Sequence, residues 1–205
     1  MGHRGGKTLF LPSGNEVRIG TAFHELCEQF VILAKQDERF QALFEPAFDQ
    51  LQVEAITSML QNLFYDVAFF PYLQLTIQND SSQAPALHKL WQGLTVIIRR
   101  WAELLVGNRR YFSAQEVISK TFLAQELSVK HEFTLPDGRQ QLVKGKFDSL
   151  VYDFEHQRLC VVEYKTYQSV DHSAQLAQVA IYSYMLREKI GVKINSAVYS
   201  VLPDL

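Results

Sequence analysis

The chain has 205 residues, 47% of them hydrophobic and 20% charged, the mix expected of one globular domain with a sizeable core. No stretch approaches about eighteen uninterrupted apolar residues, which excludes a membrane-spanning helix, and no apolar run follows Met1-Gly2-His3-Arg4-Gly5-Gly6-Lys7 as a secretory signal would need. A net charge of −2 excludes bulk attraction to nucleic acid and leaves that task to local basic patches.

Ser13 and Glu16 form a capping-box pattern ahead of a first helix. Ile19, Phe23, Leu26, Cys27, Phe30 and Ala34 recur at helical spacing and predict its buried stripe. His24 stands at the edge of that stripe, where an imidazole reads either as a packed side chain or as a ligand. Cys27 and Cys160, the two cysteines of the chain, sit in apolar segments and suit a reducing cytoplasm.

Residues 37–112 carry no carboxylate-rich or cysteine-rich motif and read as a helical insertion within a single domain spanning 1–205. Leu43, Phe44, Phe48 and Leu51 predict one helix, and Ile56, Met59, Leu60, Leu63, Phe64 and Val67 a second. A polar loop over 78–85 precedes a long third one marked by Leu87, Leu90, Trp91, Leu94, Ile97, Ile98, Trp101 and Leu105. The pairs Arg99-Arg100 and Arg109-Arg110 alternate with Trp101 and Tyr111. That pattern suits phosphate contacts and base stacking along a single strand, and equally a solvated face over core tryptophans.

A short helix follows over 113–121, then a strand over 123–135. Asp137-Gly138 signals a hairpin turn into a second strand over 140–153. A polar stretch leads to a third strand over 158–165, a helix over 173–189 and a last strand over 194–202. Strand, crossover helix, strand is the pattern of a parallel pairing. The fold class is therefore α/β, with one mixed sheet. Strand alternation turns Glu163 and Lys165 to one side, and Asp148 on the neighbouring strand joins them if the register allows. Two carboxylates beside an ammonium suit a hard divalent cation held by oxygen. Taken alone, Glu163-Tyr164-Lys165 reads as a surface ion pair. Lys130, Lys144 and Lys146 form a candidate phosphate-facing rim.

The order Gly145-x-x-Asp148, Glu163-Tyr164-Lys165, Gln178-x-x-x-Tyr182, preceded by Gly20-x-x-x-His24, resembles the PD-(D/E)XK nuclease superfamily. The Gln-x-x-x-Tyr element is similar to that of its RecB-like branch, which includes the AddAB nuclease domains and the CRISPR-adaptation exonucleases. The resemblance implies a restriction-endonuclease-like core. It implies Mg2+ or Mn2+ held by His24, Asp148, Glu163 and the backbone carbonyl of Tyr164, with Lys165 as the catalytic lysine. Gln178 and Tyr182 would position the DNA strand, with Lys146, Arg99, Arg100, Arg109 and Arg110 as further contacts. Glu126, where relatives often carry an acid, is either part of the metal site or an ordinary solvated residue. Several RecB-like branches hold an iron–sulfur cluster with four cysteines; two cannot supply one, so none is expected. Many relatives work beside an ATP-driven helicase or translocase, and no phosphate-binding Gly-x-x-x-x-Gly-Lys loop occurs here. The chain is then either a minimal nuclease or one domain of a larger polypeptide.

The expected activity is metal-dependent hydrolysis of DNA by in-line attack of water. A single-strand-preferring exonuclease in repair, recombination or foreign-DNA defence is the leading form. The rivals are a structure-specific endonuclease on the same fold and a non-catalytic nucleic-acid-binding module.

Overall fold

Apolar residues recurring every three or four positions make α1 (Glu16–Gln36), which buries Phe23, Leu26, Cys27, Phe30, Val31 and Ala34 along one stripe. The computed structural model describes residues 16–165, 172–191 and 194–200; the capping pattern at Ser13 lies outside them. A short α2 (Glu38–Ala42), capped by the Asp37 carboxylate, ends well before the expected helix through Leu51. Pro46 explains the correction, because its ring disfavours the helical conformation at Glu45. Phe44 still packs into the core, and only a 3-10 turn forms at Phe48–Gln50.

The next helix is longer than its apolar pattern. It runs through α3 (Val53–Phe64), a π turn (Tyr65–Phe69) and α4 (Phe70–Asn79) without leaving helical geometry. The wide turn comes immediately before Pro71, which lacks the N–H that a regular turn would require and whose ring crowds the preceding turn. The polar loop expected over 78–85 shrinks to Asp80 and a 3-10 turn at Ser81–Gln83. Then α5 (Ala84–Asn108) starts with Pro85 in its first turn, where no donor is lost.

Trp101 of α5 stacks on Phe30 of α1 at 4.6 Å and meets Phe122 and Tyr164 edge-on at 5.6 and 6.2 Å. These rings join the helices to the sheet. Buried Asn108 adds a polar tie, donating to Thr121 Oγ1 (2.9 Å) and Tyr152 O (2.7 Å) while accepting from Phe154 N.

After α6 (Ala114–Thr121), the strands β1 (Phe122–Thr134), β2 (Gln140–Asp153) and β3 (Arg158–Lys165) pair antiparallel in sequence order. The crossover helix α7 (His172–Ile190) returns the chain to β4 (Ile194–Ser200), which pairs parallel with β3. The mixed sheet is as the strand–helix–strand order predicts, and β2 and β3 have the expected boundaries. One face packs Phe122, Val151, Cys160, Val162 and Tyr164 against the helices of the N-terminal half. The other packs Val129, Phe147, Leu150, Leu159 and Val161 against Met185 and Leu186 of α7. No helix among the described residues is long and apolar enough to cross a membrane.

One irregularity shapes the site. Phe147 and Leu150 are three residues apart yet join the same core, so strict alternation fails at Asp148-Ser149. On β1, Ala124 and Leu127 do likewise, and between them Glu126 has a positive φ of 50°. The flanking pairs Gln125↔Ser149 and Leu127↔Phe147 put Glu126 across from Asp148. Both strands therefore slip face at one point.

Candidate active site

The slip sends Asp148 toward α1. Its Oδ1 lies 2.8 Å from His24 Nδ1, while its Oδ2 accepts from the Tyr164 amide at 2.7 Å. The carboxylate thus takes a backbone donor at the point where regular β2–β3 pairing, which begins at Ser149↔Val162, has stopped. Continuing that register by one step puts Asp148 opposite Glu163. The strands part here, and the two acids stand at the mouth of the fork.

Glu163 leans the other way. Its Oε1 accepts from Gln178 Nε2 at 3.1 Å, and the same Gln178 nitrogen lies 3.1 Å from the Tyr182 hydroxyl. Gln178 and Tyr182 are four apart on α7 and share a face. The Tyr182 ring rests on Gly145, where a Cβ would fall 2.9 Å from ring Cδ1 and 3.0 Å from Cζ, with Cε1 nearer still. Only glycine leaves that room. Phe147 flanks the same ring at 6.1 Å.

Behind the acids, Tyr164 is 2% exposed, its ring meeting Phe23 and His24 edge-on at 6.0 Å each. It holds α1 against β3 and so fixes how His24 approaches Asp148. Cys27, three residues beyond His24, is fully buried; desolvation first, and the Asp148 charge second, push its thiol well above the ordinary range. It is a packing residue, with no thiolate to offer.

Glu126 pairs with Lys146, Oε2 to Nζ at 2.7 Å. That bond, then the charges of Glu126, Glu28 and Asp148, raise the Lys146 ammonium above its usual range. Glu28 had not been singled out; its position one turn past His24 on α1 was the available signal. Lys165 ends β3, its backbone in register with Ser200. Its side chain lies outside the described residues, as do residues 166–171 of the loop expected over 166–172; His172 belongs instead to α7.

The four arginines on and after α5 all engage protein partners. Arg99 and Arg100 pair with Glu103 at 3.4 and 3.1 Å. Arg109 donates to the carbonyls of Phe44 (2.8 Å) and Phe112 (2.9 Å), and Arg110 lies over the Phe48 ring. Trp101 is 3% exposed, which decides between its two readings in favour of a core tryptophan.

As a metal site the donors are of a fitting kind: carboxylate oxygens and one imidazole. The 2.8 Å between His24 Nδ1 and Asp148 Oδ1 is close to the roughly 3 Å separating adjacent ligands of an octahedral ion bound at about 2.1 Å. Among the described residues no group of three or more His, Cys, Asp and Glu side chains stands close enough to hold an ion as it is. The structure gathers His24 with Asp148, and Glu163 with Gln178 and Tyr182, as two halves of one fork.

No curated protein aligns significantly with the chain. A sequence model of the PD-(D/E)XK nuclease superfamily matches residues 8–203, nearly the whole length. Members of that superfamily are generally metal-dependent nucleases. By the extent of the match and the mixed sheet beneath these motifs, the chain belongs to the PD-(D/E)XK nuclease superfamily.

Proposed function

We propose that the chain is a divalent-metal-dependent deoxyribonuclease of the RecB-like type, which digests DNA from an end and prefers a single strand. The observation that carries this reading is the contact between His24 Nδ1 and Asp148 Oδ1, made by residues from opposite halves of the chain. A histidine brought by an N-terminal helix to the aspartate of the central strand supports the RecB-like assignment. So does the Gln178–Tyr182 pair over Glu163.

His24, Asp148 and Glu163 would hold Mg2+ or Mn2+, with the Tyr164 carbonyl as a further oxygen. When bound, such an ion polarises a phosphoryl oxygen and eases deprotonation of the attacking water. Tyr164 orients Asp148 through its amide, and Gln178 orients Glu163 through its side-chain amide. Lys165, two residues along the strand from Glu163, would offset negative charge growing on the phosphate as water adds. The Tyr182 hydroxyl beside Gln178 would hold the strand so that the scissile phosphate meets the acids.

Burial supports the single-strand preference. With α1 on one face and α7 on the other, the Asp148 side chain is 16% exposed and Glu163 7%. A flexible single strand can lead a phosphate into such a fork, whereas a duplex must first open. The test is a linear single strand against a closed circle of the same sequence, with Mn2+ or Mg2+. Digestion of the linear strand alone is expected; rapid cutting of the circle would replace this reading with an endonuclease.

A further inference from the structure

We propose that the uncovered face of the β1–β2 hairpin, carrying Lys130, Lys144 and Lys146 in line with Asp148, is the track along which a single nucleic-acid strand enters the site. The inference deepens the nuclease reading and rests on it for the nature of the strand. Its basis is the parity of β2. Val143, Gly145 and Phe147 turn to α7, so Lys144, Lys146 and Asp148 turn to the opposite side. Asp148 there meets His24, and Lys146 feels Glu28 of the same helix, which identifies the face as the α1 side. Beyond Lys146 that helix no longer covers it: Ser128, Lys130, Glu132, Leu142, Lys144 and Lys146 are all exposed.

Residues two apart on a strand are about 6.7 Å apart. Lys146 and Lys144 therefore continue outward from Asp148 at regular intervals, and Lys130 stands directly opposite Lys144 in the ladder. Like charges in such a pair destabilise a hairpin. Lys146 is neutralised by Glu126, but neither Lys130 nor Lys144 forms an ion pair among the described residues. An extended polyanion laid along the face would neutralise both and carry its next phosphate to Asp148. Phosphate contacts of this kind set position and polarity without reading sequence. Arg99 and Arg100 pair with Glu103 and Arg109 with backbone carbonyls, whereas Lys130 and Lys144 have no ion pair among the described residues, so the hairpin offers the better-matched path.

The experiment measures fluorescence anisotropy of a labelled oligothymidylate in EDTA across a salt series. It compares the wild type, Lys130→Ala/Lys144→Ala, and the charge-matched control Lys89→Ala/Lys120→Ala. Losing two phosphate contacts lowers the slope of log K against log salt by about 1.4, at about 0.7 each on a single strand, and weakens binding by about tenfold or more. The hairpin variant's melting temperature should not fall, because a repulsive pair has been removed, so weaker binding cannot be laid to unfolding. Binding and slope equal to the control would overturn the proposal and leave these lysines as edge-strand protection against aggregation. Cleavage of the same oligonucleotide by the wild type with Mn2+ is scored separately. Cleavage with unaltered binding rejects the track alone; altered binding without cleavage keeps the track and rejects the nuclease reading.

Discussion

Tyr182 occupies the space that a side chain at Gly145 would need. The ring is held there by Phe147 beside it and by the hydrogen bond between its hydroxyl and Gln178. Gly145→Ala should therefore displace the ring, disconnect Gln178 from one of its partners and leave Glu163 less well oriented. Over-packing of this kind costs about 1–3 kcal/mol. The loss should appear as a lower melting temperature together with slower cleavage. Because the clash is with one ring, Gly145→Ala should cost almost nothing in a Tyr182→Ala background, and a double-mutant cycle measures that coupling. Equal costs in both backgrounds would mean the ring is not what the glycine accommodates.

His24 supplies the one nitrogen donor in the proposed site, and imidazole suits Mn2+ better than Mg2+. His24→Ala should reduce the cleavage rate more in Mn2+ than in Mg2+, and calorimetry should show a correspondingly larger loss of Mn2+ affinity. An equal loss with both ions would make His24 a hydrogen-bonding partner of Asp148 and no more.

Asp153 anchors the β2–β3 turn away from the fork. Burial pushes its carboxyl upward, but the His156 amide, the His156 imidazole and the Arg158 guanidinium together outweigh that and hold it below the usual range. A carboxyl lowered in the folded state stabilises the fold above its unfolded pKa of about 3.9, and the gain is lost as pH falls through the folded value. Thermal melts of the wild type and Asp153→Asn should thus differ most above about pH 5 and converge in stronger acid. A difference independent of pH would assign the effect of Asp153→Asn to packing.

Much of this was legible in the residues, for definite reasons. The hairpin at Asp137-Gly138 and the limits of β2 and β3 follow from turn chemistry and alternation, which act locally. The partnership of Gln178 with Tyr182 follows from the helical period. Alternation failed where the backbone itself slips, at Glu126 on β1 and Asp148-Ser149 on β2. It thereby missed that Asp148 faces α1 while Glu163 faces α7. Phe147 and Leu150, both apolar and three apart, were the trace of that slip. The fate of Arg109 was not legible at all, since its acceptor at Phe44 is 65 residues away and exists only once the helices have packed. For Trp101 the signal was present in its spacing with Ile97, Ile98 and Leu105, which marks a buried stripe.

The most direct measurement is single-turnover cleavage of an end-labelled linear single strand in Mn2+, by the wild type and by Asp148→Asn. Asp148 is the residue on which the His24, Tyr164 and Glu126 geometry converges. The asparagine keeps the shape but removes the charge that an ion requires. The wild type should degrade the strand, and Asp148→Asn should be slower by at least about 100-fold, with its melting temperature nearly unchanged in the absence of metal. Equal rates for the two proteins, or no cleavage by the wild type with either ion, would contradict the account.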